Sequence, residues 1–463
     1  MTAPASRIVI IGLGPGDADS RTVGAQKALD AADRIIVRTR IHPGLADLAS
    51  DRRVTDCDDL YERADAFESL YPAIARRVLD AAGSGGTVVF AVPGHPRFGE
   101  RCVPLIEAEA RTMGIPVDVL DAVSFVDATA AALRFDPLTL GLQVVDAEQI
   151  AATLDADPFA AGQLRVDPTR PVLVAQVYNH GLAAAVKIAL SRLYPDEHPV
   201  VLIQAAGISS EQSVRTTSLH TLDRQEVDHL TSLWSPALAS LDAVRSSESL
   251  NQVVARLRAP GGCPWDREQS HASLRNAVLA EAYEVVDAID SEDDDGLTEE
   301  LGDLLLLITM HAQIAEERGT FRIEDVYEGI NRKLVRRHPH VFGSATAQTA
   351  SDVVSTWEGV KETERAATGD ARTEQSRFDR LPRAMPATRK AIEILAPRAS
   401  LAAPEDPDAG SLLLAAVSAL IARGLDPDRA LEASLRKAVA QQDDDKGAFA
   451  SASAGSKLGR ALA

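Results

Sequence analysis

Cysteine is scarce in this 463-residue chain: Cys57, Cys102 and Cys263 are odd in number and far apart. They make neither a disulfide framework nor a CxxC zinc pattern, so a reducing cytoplasm is the expected compartment. Aromatic residues make up only 4%, which leaves Ala, Leu, Val and Ile to build the cores. Long apolar runs are missing too. A run such as Leu304 to Ile308 is far too short to span a bilayer. The opening MTAPASRIVIIGLGPGD lacks a basic segment followed by a long apolar one, so no signal peptide is expected. Positive charge is in deficit: 48 Lys and Arg against 68 Asp and Glu give a formal net charge of −20. That argues against a nucleic-acid polymer, which selects a basic face. Solubility alone accounts for such a charge, and so does a set of metal-binding carboxylates.

What is present divides into unlike halves. Up to about residue 240, short apolar strands alternate with Ala-rich helical stretches. Strands are expected at Arg7–Ile11, Arg34–Val37, Thr87–Val92, Val117–Leu120, Val172–Val177 and Val200–Gln204, and helices at Tyr71–Ala82 and Val103–Thr112. This is an α/β pattern. Beyond about residue 245, apolar residues recur at i, i+3, i+4 over Ser247–Leu257, Leu274–Ile289, Thr298–Glu317 and Ile323–Arg336, which predicts an all-α region. The shift falls near Ser235-Pro236. The expected domains are 1–240, 241–365 and 366–463. The last holds an internal repeat: Gly302-Asp303-Leu-Leu-Leu, Arg318-Gly319 and Arg332-Lys333 return as Gly410-Ser411-Leu-Leu-Leu, Arg423-Gly424 and Arg436-Lys437. The second copy has lost its acidic residue at Ser411, which reads as a decayed helical unit followed by a flexible tail.

The chemistry concentrates in two acidic pairs, Glu281-x-x-Glu284 and Glu300-x-x-Asp303. Spacing of i, i+3 puts each pair on one helix face. The acidic stretch Asp290–Gly296 is placed to reverse the chain, so that the four carboxylates converge. Such repulsion needs a counter-ion, and Mg²⁺ takes oxygen ligands together with waters and substrate phosphates. Leu279, Val285, Ile289, Leu301, Leu304 and Leu305 are expected to pack inward. A solvated acidic face is the bland explanation for either pair alone. A di-iron bundle would want Glu-x-x-His, and an EF-hand aligned on Gly296 would put Gly302 where Glu belongs.

Around these pairs stand Gly261-Gly-Cys-Pro-Trp-Asp266, His271, Arg332-Lys-Leu-Val-Arg-Arg-His-Pro-His-Val-Phe-Gly343 and Trp357-Glu-Gly-Val-Lys361. The set resembles the MazG nucleotide pyrophosphohydrolases over about residues 245–365. The resemblance implies hydrolysis of a nucleoside triphosphate to the monophosphate and pyrophosphate. It implies that Glu281, Glu284, Glu300 and Asp303 hold Mg²⁺, or Mn²⁺ in its place. Catalytic roles fall on Glu281 and Glu284, with Lys333 and Arg337 on the phosphates, Lys361 also on phosphate and Trp357 on the nucleotide. Many members have Glu-Glu-x-x-Glu where this chain has Ala280, so one carboxylate is missing. Two segments keep a structural alternative: Cys263-Pro-Trp265 as a helix-starting turn with a packed Trp, and His338-Pro-His340 as a helix end.

In the first half, Ile8-Val-Ile-Ile-Gly12-Leu-Gly14-Pro-Gly16-Asp17 runs from a strand into a Gly-rich turn. It is not the dinucleotide fingerprint, because Asp17 stands where a glycine is required. With Val92-Pro-Gly94-His95-Pro96, and with the stretches beginning at Gln176, Tyr194 and Asp228, it is similar to the tetrapyrrole methylases, in the subgroup fused to MazG that the YabN proteins typify. That resemblance implies two α/β subdomains with S-adenosylmethionine near Gly12, Gly14, Gly16, Gly94, His95, Pro96, Ser124 and Phe125. Methyl transfer needs chiefly orientation and proximity, so no catalytic base is expected.

The expected architecture is multidomain, a two-subdomain α/β region followed by an all-α region. The expected activity is Mg²⁺-dependent nucleoside triphosphate pyrophosphohydrolysis. The alternative is a methyltransferase whose helical half senses nucleotides, and Ala280 favours a sensing role. Expected partners are nucleoside triphosphates and a second copy of the chain in a homodimer, with no nucleic-acid polymer and no membrane.

Overall fold

A computed structural model describes residues 6–63, 67–156, 164–349 and 409–431, scattered positions between 351 and 390, and residues 433–434. Residues 1–323 form one compact unit and 324–463 another.

The first unit opens with five parallel strands: β1 Arg7–Gly12, β2 Arg34–Val37, β3 Val54–Asp56, β4 Thr87–Val92 and β5 Val117–Val119. They line up as β3-β2-β4-β1-β5. The helices are α1 Val23–Ala31, α2 Asp58–Arg63, α3 Phe67–Gly83 and α4 Cys102–Met113. Parallel strands are buried on both faces, and the period of two sorts β1 and β4 accordingly. Ile8, Ile10, Val88 and Phe90 pack among residues of α3 and α4. Val9, Ile11, Val89 and Ala91 belong to the opposite core with Ala25 and Leu29 of α1. Each fully buried Ile or Val contributes about 1.5–3 kcal/mol.

After α5 Phe125–Leu133 and α6 Pro137–Leu140 comes a mixed sheet: β6 Gln143–Asp146, β7 Val172–Ala175, β8 Pro199–Gln204, β9 Ser213–Ser218 and β10 Thr231–Ser235. Its order is β6-β7-β10-β8-β9, and only β6 and β7 are parallel. Helices α7 Ala147–Ala156 and α8 His180–Leu190 lend Ile150, Val186 and Leu190 to its core.

Among the described residues the last strand is β10. Helices α9 Ser247–Arg258, α10 Pro264–Glu268, α11 Arg275–Asp290 and α12 Asp294–Glu317 follow, then α13 Ile323–Arg337 and α14 Pro339–Phe342. Val254, Leu274, Leu307, Met310 and Ile314 form the core of α9, α11 and α12. The apolar flanks of the acidic pairs do not pack inward as expected. Leu279, Ile289, Leu301 and Leu305 are 43–55% exposed, while Val285 and Leu304 are half-buried. The reason is directional: α11 and α12 turn toward each other and α12 toward α9, with Ala277 and Val278 of α11 only partly buried against that core.

Gly319 and Gly424 have φ of +69° and +71°, and each ends its helix in the same way. Thr320 N donates to Ala315 O at 3.0 Å, and Leu425 N to Leu420 O at 3.0 Å. The later helix is Ala409–Ala422, and Arg436 and Lys437 lie outside the described residues. No helix among the described residues is long and apolar enough to cross a membrane.

Candidate functional site

The acidic site rests on a helical hairpin. Asp293 reverses the chain at the start of α12, its side chain accepting from Gly296 N at 3.0 Å. Such a cap contributes about 1 kcal/mol. Helix geometry then brings Glu281 and Glu284 of α11 against Glu300 of α12, with one carboxylate oxygen from each inside 4.8 Å of the others. Desolvation comes first in raising the Glu281 carboxyl above its usual range, followed by its hydrogen bond with Glu284 and the charges of Glu284, Asp303 and Glu300. Glu300 is raised by desolvation, then by the charges of Glu284, Glu299 and Asp303. Asp303, one helical turn after Glu300, lies outside the closest group and acts on it through its charge.

This donor set fits a divalent cation. Opposed oxygens around Mg²⁺ stand about 4.2 Å apart, twice a metal–oxygen distance of about 2.1 Å, so a spread of 4.8 Å needs little closing. Glu284 and Asp303 are exposed and Glu281 and Glu300 half-buried, which leaves room for the waters Mg²⁺ retains.

Two further contacts fix the ground beneath the hairpin. Arg258 grips Glu317 at the end of α12 with Nε at 2.8 Å and Nη2 at 2.7 Å, and its Nη1 donates to Asp266 O. Cys263-Pro264-Trp265 is therefore an anchored helix-starting turn, but Trp265 is not packed: it is 63% exposed. His271 and His311 face each other with Nδ1 atoms 2.8 Å apart, and burial, then the neighbouring His271, lowers the His311 pKa. One ring must donate and the other accept.

The second unit holds the cationic residues. Lys333 and Arg337, four apart on α13, share a face. The Arg337 guanidinium lies 5.2 Å from the Trp357 ring centroid. His338 ends α13, donates from Nδ1 to Leu334 O at 2.7 Å and sets its ring edge-on to Trp357 at 5.0 Å. Lys361 lies outside the described residues. Arg336 and Arg337 both bond Glu364. Sequence reasoning missed Glu364, because a pairing across 27 residues of chain leaves no spacing signal.

The glycine turns meet at the carboxyl ends of the first sheet. Gly14 and Gly94 pair through N–H···O bonds of 3.2 and 2.9 Å in the two directions. A Cβ on Gly12 would stand 2.2 Å from Gly94 O and 3.0 Å from Pro96 Cδ. One on Gly16 would stand 2.0 Å from Gly207 O, in the loop after β8. Close backbone approach thus demands these glycines before any ligand is invoked. His95 Nδ1 accepts from Arg97 N at 3.0 Å, and its ring meets Phe98, which in turn meets Phe125 edge-on at 6.1 Å. Buried Ser124 starts α5 in a capping box with Asp127.

Two family models match this chain: the Tetrapyrrole (Corrin/Porphyrin) Methylases over residues 7–223 and the MazG nucleotide pyrophosphohydrolase domain over residues 269–342. The uncharacterized protein YabN of Bacillus subtilis (strain 168) is 39% identical over 393 residues, 84% of this chain and 76% of that protein. The chain belongs to the YabN family, in which a tetrapyrrole methylase-type domain precedes a MazG domain. Over 118 residues it is 48% identical to the nucleoside triphosphate pyrophosphohydrolase/pyrophosphatase MazG of Thermotoga maritima, covering 26% of this chain and 45% of that protein. It is 44% identical over 148 residues to the nucleoside triphosphate pyrophosphohydrolase of Escherichia coli (strain K12), covering 32% of this chain and 55% of that one. The chain thus spans about half the length of these two relatives.

Proposed function

We propose that the helical region hydrolyses nucleoside triphosphates to the monophosphate and pyrophosphate with Mg²⁺, or with Mn²⁺ in its place. The observation that carries this reading is the convergence of Glu281, Glu284 and Glu300 within 4.8 Å, with Asp303 acting on them by its charge. The relatives named pyrophosphohydrolases at 48% and 44% identity support it.

In this reading Glu281, Glu284, Glu300 and Asp303 hold the ion. When bound, it supplies Lewis-acid polarisation of a phosphate and an activated water. Accepting a proton from the attacking water falls to a remaining carboxylate of the cluster, because Ala280 offers none. Lys333 and Lys361 neutralise phosphate charge that grows during reaction, while Arg337 grips the phosphates in ground and transition states alike. Trp357 presents an aromatic face that accepts any base. A second copy of the chain covers the exposed stripe of Leu279, Ile289, Leu301 and Leu305, since apolar patches of this kind mark partner contacts.

The first half binds S-adenosylmethionine at the joined glycine turns. Gly14–Gly94 pairing at the carboxyl ends of parallel strands favours this, because open α/β sheets bind ligands there.

The deciding experiment is a panel of nucleoside triphosphates with Mg²⁺, assayed separately for pyrophosphate and for phosphate. Pyrophosphate in equal amount to monophosphate is expected. Orthophosphate alone, or tight nucleotide binding without turnover, would replace the hydrolase with a phosphatase or a sensor.

A further inference from the structure

Helix α13 ends in two arginines that converge on one carboxylate. Arg336 Nε donates to Glu364 Oε1 at 2.6 Å. Arg337 donates from Nε to Oε1 at 3.3 Å and from Nη2 to Oε2 at 2.6 Å. The two arginines are not equivalent. The Arg337 side chain is 15% exposed and that of Glu364 19%, whereas that of Arg336 is 56% exposed. Arg337 is therefore the one enclosed, its guanidinium carbon over the Trp357 ring at 5.2 Å from the centroid and the His338 ring edge-on to the same indole.

The geometry of the guanidinium decides what this pairing leaves available. A guanidinium has a side edge, Nε with Nη2, and an end edge, Nη1 with Nη2, and either can bind an oxyanion with two parallel bonds. Glu364 takes the side edge. Nη1 donates to none of the described residues. Arg337 is thus held by one edge above the Trp357 ring, and among the described residues no bond occupies its end edge.

We propose that Glu364 is a positioning residue, which fixes Arg337 against Trp357 so that the open end edge meets the phosphates of the nucleotide. This rests on the reading of Arg337 as a phosphate ligand. Arginine side chains lose much rotamer freedom when they bind, and a fork oriented in advance loses less. Glu364 stays ionised throughout any working pH, because the Arg337 and then the Arg336 bonds hold its carboxyl down to about 2. It is a permanent brace and not a pH gate.

The experiment measures pyrophosphate release with Mg²⁺ and a nucleoside triphosphate in the full-length native protein, E364A and E364D, with melting of each as a folding control. Arg337 meets the phosphates in ground and transition states alike, so its loss of order raises KM more than it lowers kcat. E364A is expected to raise KM about tenfold with kcat inside about threefold. E364D keeps the charge on a shorter arm and is expected to recover much of the loss. An E364A that melts earlier with KM unchanged makes the contact structural only and overturns the proposal. A lowered KM also overturns it, since Glu364 would then compete with phosphate. If E364A fails to fold, E364Q, which keeps the length of the side chain and loses its charge, takes its place, and an unchanged KM in E364Q overturns the proposal. Failure of the native protein to release pyrophosphate removes the hydrolase reading and this role together. Release by the native protein with an indifferent Glu364 removes this role alone.

Discussion

The glycine turns of the first half and the acidic hairpin of the helical region are built on opposite terms. Around β1 and β4 the backbone is over-determined. Ile8, Ile10, Ile11, Phe90 and Val92 are fully buried, and the two turns clasp through paired N–H···O bonds. Helix α11 has no buried residue at all, and its acidic side chains repel those of α12. One site is shaped by packing and has no room for an added atom at Gly12 or Gly16. The other is held in place against its own charge, and its order depends on what it binds.

The sharpest way to break this contrast is to remove one acidic group. Glu284→Ala is expected to lower pyrophosphate release at least about a hundredfold, the scale on which one pre-organised electrostatic group acts. Melting should stay level or rise, because a repelling charge has gone. A variant that melts earlier, or that turns over normally, would show that Glu284 serves the fold and not the chemistry.

The converse substitution belongs to the other site. Gly12→Ala would place a methyl 2.2 Å from Gly94 O and 2.5 Å from Ala122 Cβ. Backbone cannot give way as a flexible side chain does, so the expected cost is about 3 kcal/mol. Calorimetry would show this as an earlier transition of the first half, while pyrophosphate release at low temperature stays near native. Equal damage to both measurements would mean that the two regions are not independent.

What the sequence could tell follows the same division. Buried central strands announce themselves by apolar runs: Arg34–Val37 and Thr87–Val92 have the bounds expected of them. The strands that went unread are β3, β6, β9 and β10. They are short or polar, as in Ser-Val-Arg-Thr-Thr-Ser of β9, whose exposure alternates on a sheet edge. Gly12 and Gly16 were legible as a turn, but the reason for them, backbone of distant segments pressed against each, is a tertiary fact. Helical periodicity placed Glu281, Glu284 and Glu300 correctly on facing helices. It failed on Leu279, Ile289, Leu301 and Leu305, because periodicity shows that a stripe is apolar and not whether this chain covers it. Glu364 had no local signal, since its meaning lies in two arginines elsewhere in the chain.

The smallest expected effect tests the repulsion itself. Glu281 and Glu300 ionise with more difficulty in the folded chain than in the unfolded one. Below the ordinary carboxyl value of 4.5 both states hold the protons and the cluster costs nothing. As pH rises from there through the raised folded value, the unfolded chain ionises first, and stability is lost. Ordinary acid denaturation runs the other way, and carboxyls held low, such as that of Glu364, contribute that opposite slope. A difference measurement separates the two. With metal chelated, Glu281→Gln should match the native melting temperature near pH 4 and exceed it by a few degrees near neutrality. Mg²⁺ should raise the native protein towards or above the variant, because it compensates a charge the variant lacks. Should the variant melt below the native chain at neutral pH without metal, Glu281 would be held by attraction, and the hairpin would not be the strained, ion-seeking site that its geometry describes.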